Sequence, residues 1–371
     1  MKYLISGGGT GGHIFPAVSI ANAIRQLDTE AQILFVGASS RMEMERVPEA
    51  GYKIVGLPIR GFNRSQPWKN VSVLIDLFRS LGQAKRIVRD FAPDVAVGVG
   101  GYASGAAMKA AAWAHVPVVL QEQNGFAGVT NRLLRNDAAL ICVAYEGMEK
   151  FFPKDRILLT GNPVRQNLTE GDAERGRAYF REQAGITLRS DRPTLLIIGG
   201  SLGARTINES IIAALPELSQ ANLQVIWQTG KVYYEQCKQA YDRCGADNIV
   251  CMPFLSNMPD AYALADVVIS RAGASSISEL CLLGKPAILV PSPNVAEDHQ
   301  THNAMALVHR GAAVLVRDAD AREQLVPVAL QVLGDENKRQ SLHEHISALA
   351  QTDSALRIAK EVIRLANSRR Q

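Results

Sequence analysis

A chain of 371 residues exceeds what one hydrophobic core ordinarily supports, which points to two domains. With 47% hydrophobic and 20% charged residues and a net charge of +4, the composition is that of a folded globular protein and excludes a disordered or fibrous one. No basic stripe with interleaved aromatics argues for nucleic acid. The longest apolar run, Gly105 to Leu120, is broken by Lys109, His115 and Pro117 and is too short to span a bilayer.

The charge is unevenly placed. Residues 1–160 hold 18 Lys and Arg against 13 Asp and Glu, whereas residues 161–371 hold 22 against 23, so the first half is the one suited to an anionic ligand or surface. Five scattered cysteines without a C-x-x-C pair read as reduced thiols of a cytosolic protein. Met1-Lys2 leads directly into a strand, which argues against a signal peptide.

The first strand, 2–6, runs into Gly7-Gly8-Gly9-Thr10-Gly11-Gly12-His13. Gly7, Gly9 and Gly12 have the G-x-G-x-x-G spacing of a dinucleotide site, but such a site also wants an acidic residue at the end of the second strand. That strand, 32–37, continues Ala38-Ser39-Ser40-Arg41 without a carboxylate. Arg41 leaves a 2′-phosphate, and so NADP, as a lesser option. A glycine turn at a helix N-terminus suits any phosphate, and tight strand–helix packing is the plainer alternative.

Residues 68–79 are apolar with basic neighbours. Trp68, Leu74, Leu77, Phe78, Arg79, Lys85 and Arg86 form a candidate patch for an anionic membrane leaflet, extended by Arg60, Phe62, Arg64 and Trp113. The competing reading is a helix whose apolar face is core. Strands follow at 94–99, 117–120 and 139–143. Gly161-Asn162-Pro163-Val164 is a breaker cluster that suits a hinge.

The second half begins as the first does. Strand 194–198 enters Gly199-Gly200-Ser201-Leu202-Gly203-Ala204, and further strands are expected at 223–228, 249–252, 266–270, 287–290 and 313–316. Continuous apolar strands alternating with helices predict an α/β fold of two Rossmann-like doubly wound domains facing a cleft. The expected divisions are 1–162, 163–350, and a C-terminal helix within 351–371 that can pack back on either domain, the N-terminal one among them, with nothing in the sequence to choose between the two. Pro253-Phe254-Leu255 offers backbone groups to a flat base, or is ordinary core. In Arg271–Glu279, a turn at Gly273 opens a helix; Glu279 can hold a ribose diol, or serve the helix dipole. Asp298, His299 and His302 have a spacing open to a metal, but the loop around Gln300 is better suited to sugar hydroxyls.

The motifs GGGTGGHIFPA (7–17), GVGGYASG (98–105), QEQNGFAGVTN (121–131), GNPVR (161–165), GGSLGA (199–204), RAGASSISE (271–279) and EDHQTHNA (297–304) occur in order along nearly the whole chain. In this the sequence resembles the MurG family of glycosyltransferases. The resemblance implies the GT-B fold and inverting transfer of N-acetylglucosamine from UDP-GlcNAc to the C4 hydroxyl of MurNAc in lipid I, giving lipid II. It implies UDP-GlcNAc and lipid I as partners, no tightly bound cofactor or metal, a peripheral place on the cytoplasmic face of the bacterial cell membrane, and cell-wall and division proteins as further partners. Residue by residue, it matches Leu255 to a uracil contact, Glu279 to the ribose acid, Ser201 and Arg165 to diphosphate ligands, and Gln300 to the GlcNAc hydroxyls. Ala274 and Ser275 fall in the same donor motif, and Thr10, Gly11, Gly12 and Asn124 match first-domain contacts. It makes the first glycine turn a substrate-facing loop in place of an NAD site. His13 is the candidate base, as the titratable side chain of that turn, and Glu122 the second. An epimerase or glycolipid transferase on the same fold and a non-catalytic nucleotide binder remain as alternatives.

Overall fold

The computed structural model describes residues 1–60, 70–164, 166–200, 202–295 and 298–370. The chain forms two compact units, one of Met1–Arg165 with Gln351–Gln371 and one of Gln166–Ala350.

The first unit contains β1 (Lys2–Ser6), α1 (Gly11–Leu27), β2 (Gln32–Ala38), α2 (Glu43–Glu49), β3 (Lys53–Leu57), α3 (Asn70–Phe91), β4 (Val95–Gly98), α4 (Tyr102–Trp113), β5 (Val118–Glu122), α5 (Val129–Leu134), β6 (Leu140–Val143) and β7 (Ile157–Leu159). The strands form one parallel sheet in the order β3-β2-β1-β4-β5-β6-β7. The second unit contains α6 (Ala173–Ala184), β8 (Thr194–Ile198), α7 (Arg205–Gln220), β9 (Gln224–Gln228), α8 (Tyr234–Cys244), β10 (Ile249–Met252), α9 (Met258–Leu264), β11 (Val267–Ser270), α10 (Ala274–Leu282), β12 (Ala287–Leu289), α11 (His299–Val308), β13 (Val314–Leu315), α12 (Ala321–Gly334) and α13 (Glu336–Ser347). Its sheet is also parallel, in the order β10-β9-β8-β11-β12-β13. Each unit thus repeats the doubly wound Rossmann order, with strand order reversing beside the first strand.

The central strands β1, β4, β5, β8, β9 and β11 are buried on both faces, which is why they read as continuous apolar runs. The sequence reading missed β3 and β7. Both are edge strands: β3 carries Lys53 and Gly56, and β7 is three half-buried residues. Lys53 and Gly56 interrupt the apolar run of β3, and β7 is too short a run to stand out.

The last helix, α14 (Ser354–Arg370), returns to the first unit. Ala355, Ile358, Ala359, Val362 and Ala366 form a buried stripe at helical spacing that packs in one cluster with Ile14, Ala17, Ala21 and Ile24 of α1. Arg357 donates to the Leu159 carbonyl (2.7 Å), and Gly161, at φ +78°, lies so close to Gln351 and Ser354 that a Cβ there would sit 2.5 Å from the Gln351 Cβ. Among the described residues no helix is long and apolar enough to cross a membrane.

Truncating Ile358 to Ala should lower the unfolding free energy of the first unit by about 2–4 kcal/mol through loss of buried contacts and an unfilled cavity. Denaturant unfolding followed by circular dichroism checks this.

Candidate active site

In both sheets the carboxyl ends of the strands at the order reversal carry glycine turns. In the first unit the turns after β1 and β4 meet directly. Gly8 N–H donates to Gly100 O (3.4 Å), and a Cβ on Gly101, at φ +89°, would sit 2.4 Å from Gly8 O. Only glycine permits that approach. Glu43, the first residue of α2, closes the turn from below: its fully buried carboxylate accepts from Gly9 N (3.0 Å) and Ala38 N (3.0 Å). This role is not visible in the sequence, because Glu43 lies beyond the end of β2, where a ribose-binding acid is sought, and is spent on backbone donors instead.

Thr10 is the N-cap of α1, and Gly11 and Gly12 form its first turn. His13 follows, half-buried, with Nδ1 3.1 Å from Gly8 O and 3.3 Å from Thr10 Oγ1. A carbonyl oxygen only accepts, so Nδ1 carries the proton in the neutral ring and Nε2 holds the lone pair. Thr10, His13, Arg41 and Tyr102 line a pocket of about 260 Å³ over the turn.

Glu122 ends β5 and is 1% exposed. Oε1 accepts from Asn124 N (3.1 Å) and Nδ2 (3.3 Å), and Oε2 from Gly128 N (3.0 Å) and Asn131 Nδ2 (2.9 Å). Burial pushes its carboxyl above the usual carboxylate range, against the pull of those four donors. Both oxygens are engaged, which gives Glu122 the work of an anchor for the loop that presents Asn124. Beside it, Gln121 Nε2 donates to Asn162 Oδ1 (3.1 Å) and Asn162 Nδ2 to Gln123 O (3.0 Å), tying the same loop to the GNPVR segment.

In the second unit, the turns after β8 and β9 touch through backbone: a Cβ on Gly230 would lie 2.2 Å from Gly203 N. Gln228, at the end of β9, donates from Nε2 to Gly200 O (3.1 Å) and accepts from Leu255 N on Oε1 (3.1 Å). One buried amide therefore joins the glycine turn to the segment expected to meet a base, and the Leu255 N–H is already bonded. Ala274 opens α10, and the Ser275 Oγ beside it is buried without a hydrogen-bond partner among the described residues. Glu279 lies in the second turn of α10, 8% exposed, and accepts from the Tyr262 hydroxyl on Oε2 (3.1 Å). Helix-dipole stabilisation fades beyond the first turn, so it does not account for this carboxylate. Gln300, in the first turn of α11, accepts from Ser292 N on Oε1 (2.9 Å), which turns its Nε2 donors the other way. Among the described residues no three His, Cys, Asp or Glu side chains are placed to share a metal ion. Arg165, Ser201, Glu297 and Trp68, with Phe62 and Arg64, lie outside the described residues.

On α3, Leu74, Ile75 and Phe78 are exposed, Phe78 by 72%. Leu77 instead turns inward against the core, a quarter-turn out of phase with its neighbours, and so leaves the expected patch. Arg79, Lys85 and Arg86 are exposed, and Lys85 Nζ lies 4.3 Å over the half-exposed Trp113 ring. Arg60 is held by Asp76 (2.6 Å).

Two Rossmann sheets, each with a glycine turn at its order reversal, define the GT-B class of nucleotide-sugar proteins. The comparisons agree: the glycosyltransferase family 28 N-terminal domain matches residues 3–142, and the family's C-terminal domain matches 194–362. A Bacteroides thetaiotaomicron protein named UDP-N-acetylglucosamine--N-acetylmuramyl-(pentapeptide) pyrophosphoryl-undecaprenol N-acetylglucosamine transferase is 58% identical over 99% of this chain and 98% of its own length. The crystal structure of Acinetobacter baumannii MurG superposes with a TM-score of 0.74 at 27% identity, covering 98% of this chain and 99% of that one. A UDP-GlcNAc 2-epimerase from Neisseria meningitidis shares the fold alone, with a TM-score of 0.69 at 14% identity over 98% of this chain and 100% of its own. The chain belongs to glycosyltransferase family 28 and, within it, to the MurG transferases.

Glu122→Gln keeps the shape but turns an NH2 group toward N–H donors, and should cost about 2 kcal/mol or more of unfolding free energy. Because the folded-state pKa of Glu122 is raised, the wild type binds its proton more readily folded than unfolded. Its margin over the variant should therefore widen as pH falls from neutrality toward about 4.3. Denaturant midpoints of both proteins across that range are the measurement.

Proposed function

We propose that this chain transfers N-acetylglucosamine from UDP-N-acetylglucosamine to the C4 hydroxyl of the N-acetylmuramyl residue of a pyrophosphoryl-undecaprenol acceptor, with inversion at the anomeric carbon. The observation that carries this reading is the near full-length relationship to a transferase named for that donor and acceptor, with 58% of residues identical. The second unit is the donor side, with the Leu255 segment at uracil, Glu279 at the ribose diol, Ser201, Ala274 and Ser275 at the diphosphate, and Gln300 at the sugar hydroxyls; Arg165, which ends the first unit's main segment, is a further diphosphate ligand. The orphaned Ser275 hydroxyl at the start of α10 suits that place, because a helix N-terminus attracts phosphate.

The first unit is the acceptor side. His13 Nε2 takes the proton of the attacking hydroxyl as the C4 oxygen bonds to the anomeric carbon and UDP departs with the electron pair of the broken bond. The Gly8 carbonyl on Nδ1 fixes the tautomer this requires and favours the imidazolium that forms. Thr10, Gly11, Gly12 and Asn124 border this site, and Glu122 supports it through the loop it anchors. Leu74, Ile75 and Phe78, with Arg79, Lys85, Arg86 and Trp113 nearby, rest on the cytoplasmic leaflet that holds the acceptor lipid.

UDP release measured with and without a short-chain lipid I analogue tests the reaction. Release coupled to a disaccharide product is expected only with the analogue; donor binding without acceptor-dependent release would sink the acceptor assignment. His13→Ala should lower kcat by about 10²–10⁴-fold, with a smaller change in the KM for UDP-GlcNAc. Replacing Leu74, Ile75 and Phe78 with Ser should weaken binding to anionic vesicles by roughly tenfold or more while turnover of a water-soluble acceptor persists. Unchanged vesicle binding would remove the membrane role of α3.

A further inference from the structure

We infer that Tyr262 is a positioning residue that makes the donor site selective for ribonucleotides, excluding 2′-deoxyribonucleoside diphosphates by holding the Glu279 carboxylate in one orientation. The inference rests on the reading of Glu279 as the ribose acid and deepens it. Tyr262 lies on α9, and Glu279 on α10, on either side of β11 in the chain. The tyrosine is 1% exposed, and its hydroxyl donates 3.1 Å to Glu279 Oε2.

A carboxylate without such a tether rotates about its last bond and aims its oxygens over a wide arc. A buried carboxylate is also costly unless its oxygens meet donors. The phenol meets both needs at once. It satisfies one oxygen and sets the plane in which the carboxylate faces a diol. A rigid buried acceptor rejects a sugar that lacks the matching hydroxyl, because the acceptor is then left unpaired, whereas a mobile acceptor swings away and discriminates poorly. Tyr262 touches neither the ribose nor the reacting atoms in this account; it acts through Glu279.

The test compares UDP with 2′-deoxy-UDP by isothermal titration, using wild type, Tyr262→Phe, Glu279→Gln and the double variant. Phe keeps the ring and removes only the hydroxyl. The wild type should prefer UDP by about 10–100-fold. Y262F should lose most of that preference, E279Q nearly all of it, and the double variant should be no worse than E279Q. A merely structural role for the hydroxyl would weaken both ligands equally and lower the thermal midpoint while leaving their ratio intact, and that result would overturn the inference. If E279Q itself kept the preference, the ribose reading would fall and this inference with it. If E279Q lost it and Y262F kept it, the ribose reading would stand and the role of Tyr262 would be refuted.

Discussion

Parallel strands end in loops that no neighbouring hairpin can satisfy, so the backbone N–H groups at the carboxyl edge of each sheet must find other acceptors. In the first unit two buried carboxylates meet that need. Glu43 holds the turn after β1, and Glu122 the loop after β5, through six hydrogen bonds from backbone N–H and side-chain amide donors. Two carboxyl groups are thus buried in the unit proposed to serve the acceptor. They are tolerable there because every one of the four oxygens accepts at least one N–H, while cationic residues of this half such as Arg41, Arg79 and Lys85 lie exposed. The second unit solves the same problem with a neutral side chain, the Gln228 amide, and with direct backbone contact between two glycine turns.

That difference fits the proposed division of labour. A donor site has to receive a diphosphate and then release it as UDP. Neutral amides and helix N-termini contribute attraction that adds no further fixed charge to the one proposed for Arg165. The acceptor side needs a base of defined tautomer more than it needs charge, and the Gly8 carbonyl under His13 supplies that definition from backbone alone.

The architecture was legible because the central strands are buried on both faces and are therefore apolar without interruption, and because glycine turns recur at the same place in each half. The edge strands β3 and β7 were not, since one is broken by Lys53 and Gly56 and the other is only three residues long. In the site, the letters were legible and their partners were not. His13, Glu122, Glu279 and Gln300 can be picked from the sequence, but Glu43 reaches Gly9 across 34 residues, Gln228 reaches Leu255 across 27, and Tyr262 reaches Glu279 across 17. No periodicity encodes such pairs. The helical phase of α3 was likewise hidden: Leu77 and Phe78 are adjacent in sequence and both strongly apolar, yet one packs partly buried against the core and the other faces solvent.

The return of α14 to α1 makes the first unit discontinuous in the chain. During synthesis, residues 1–165 emerge well before residues 351–371, with the whole second unit between them. Ile14, Ala17, Ala21 and Ile24 therefore await a cover that the ribosome has not yet made. The second unit can complete its core first, although it is translated later, while the earlier half is held open with an apolar helix face exposed. Two faces of one core are thus separated in the chain by an entire second core.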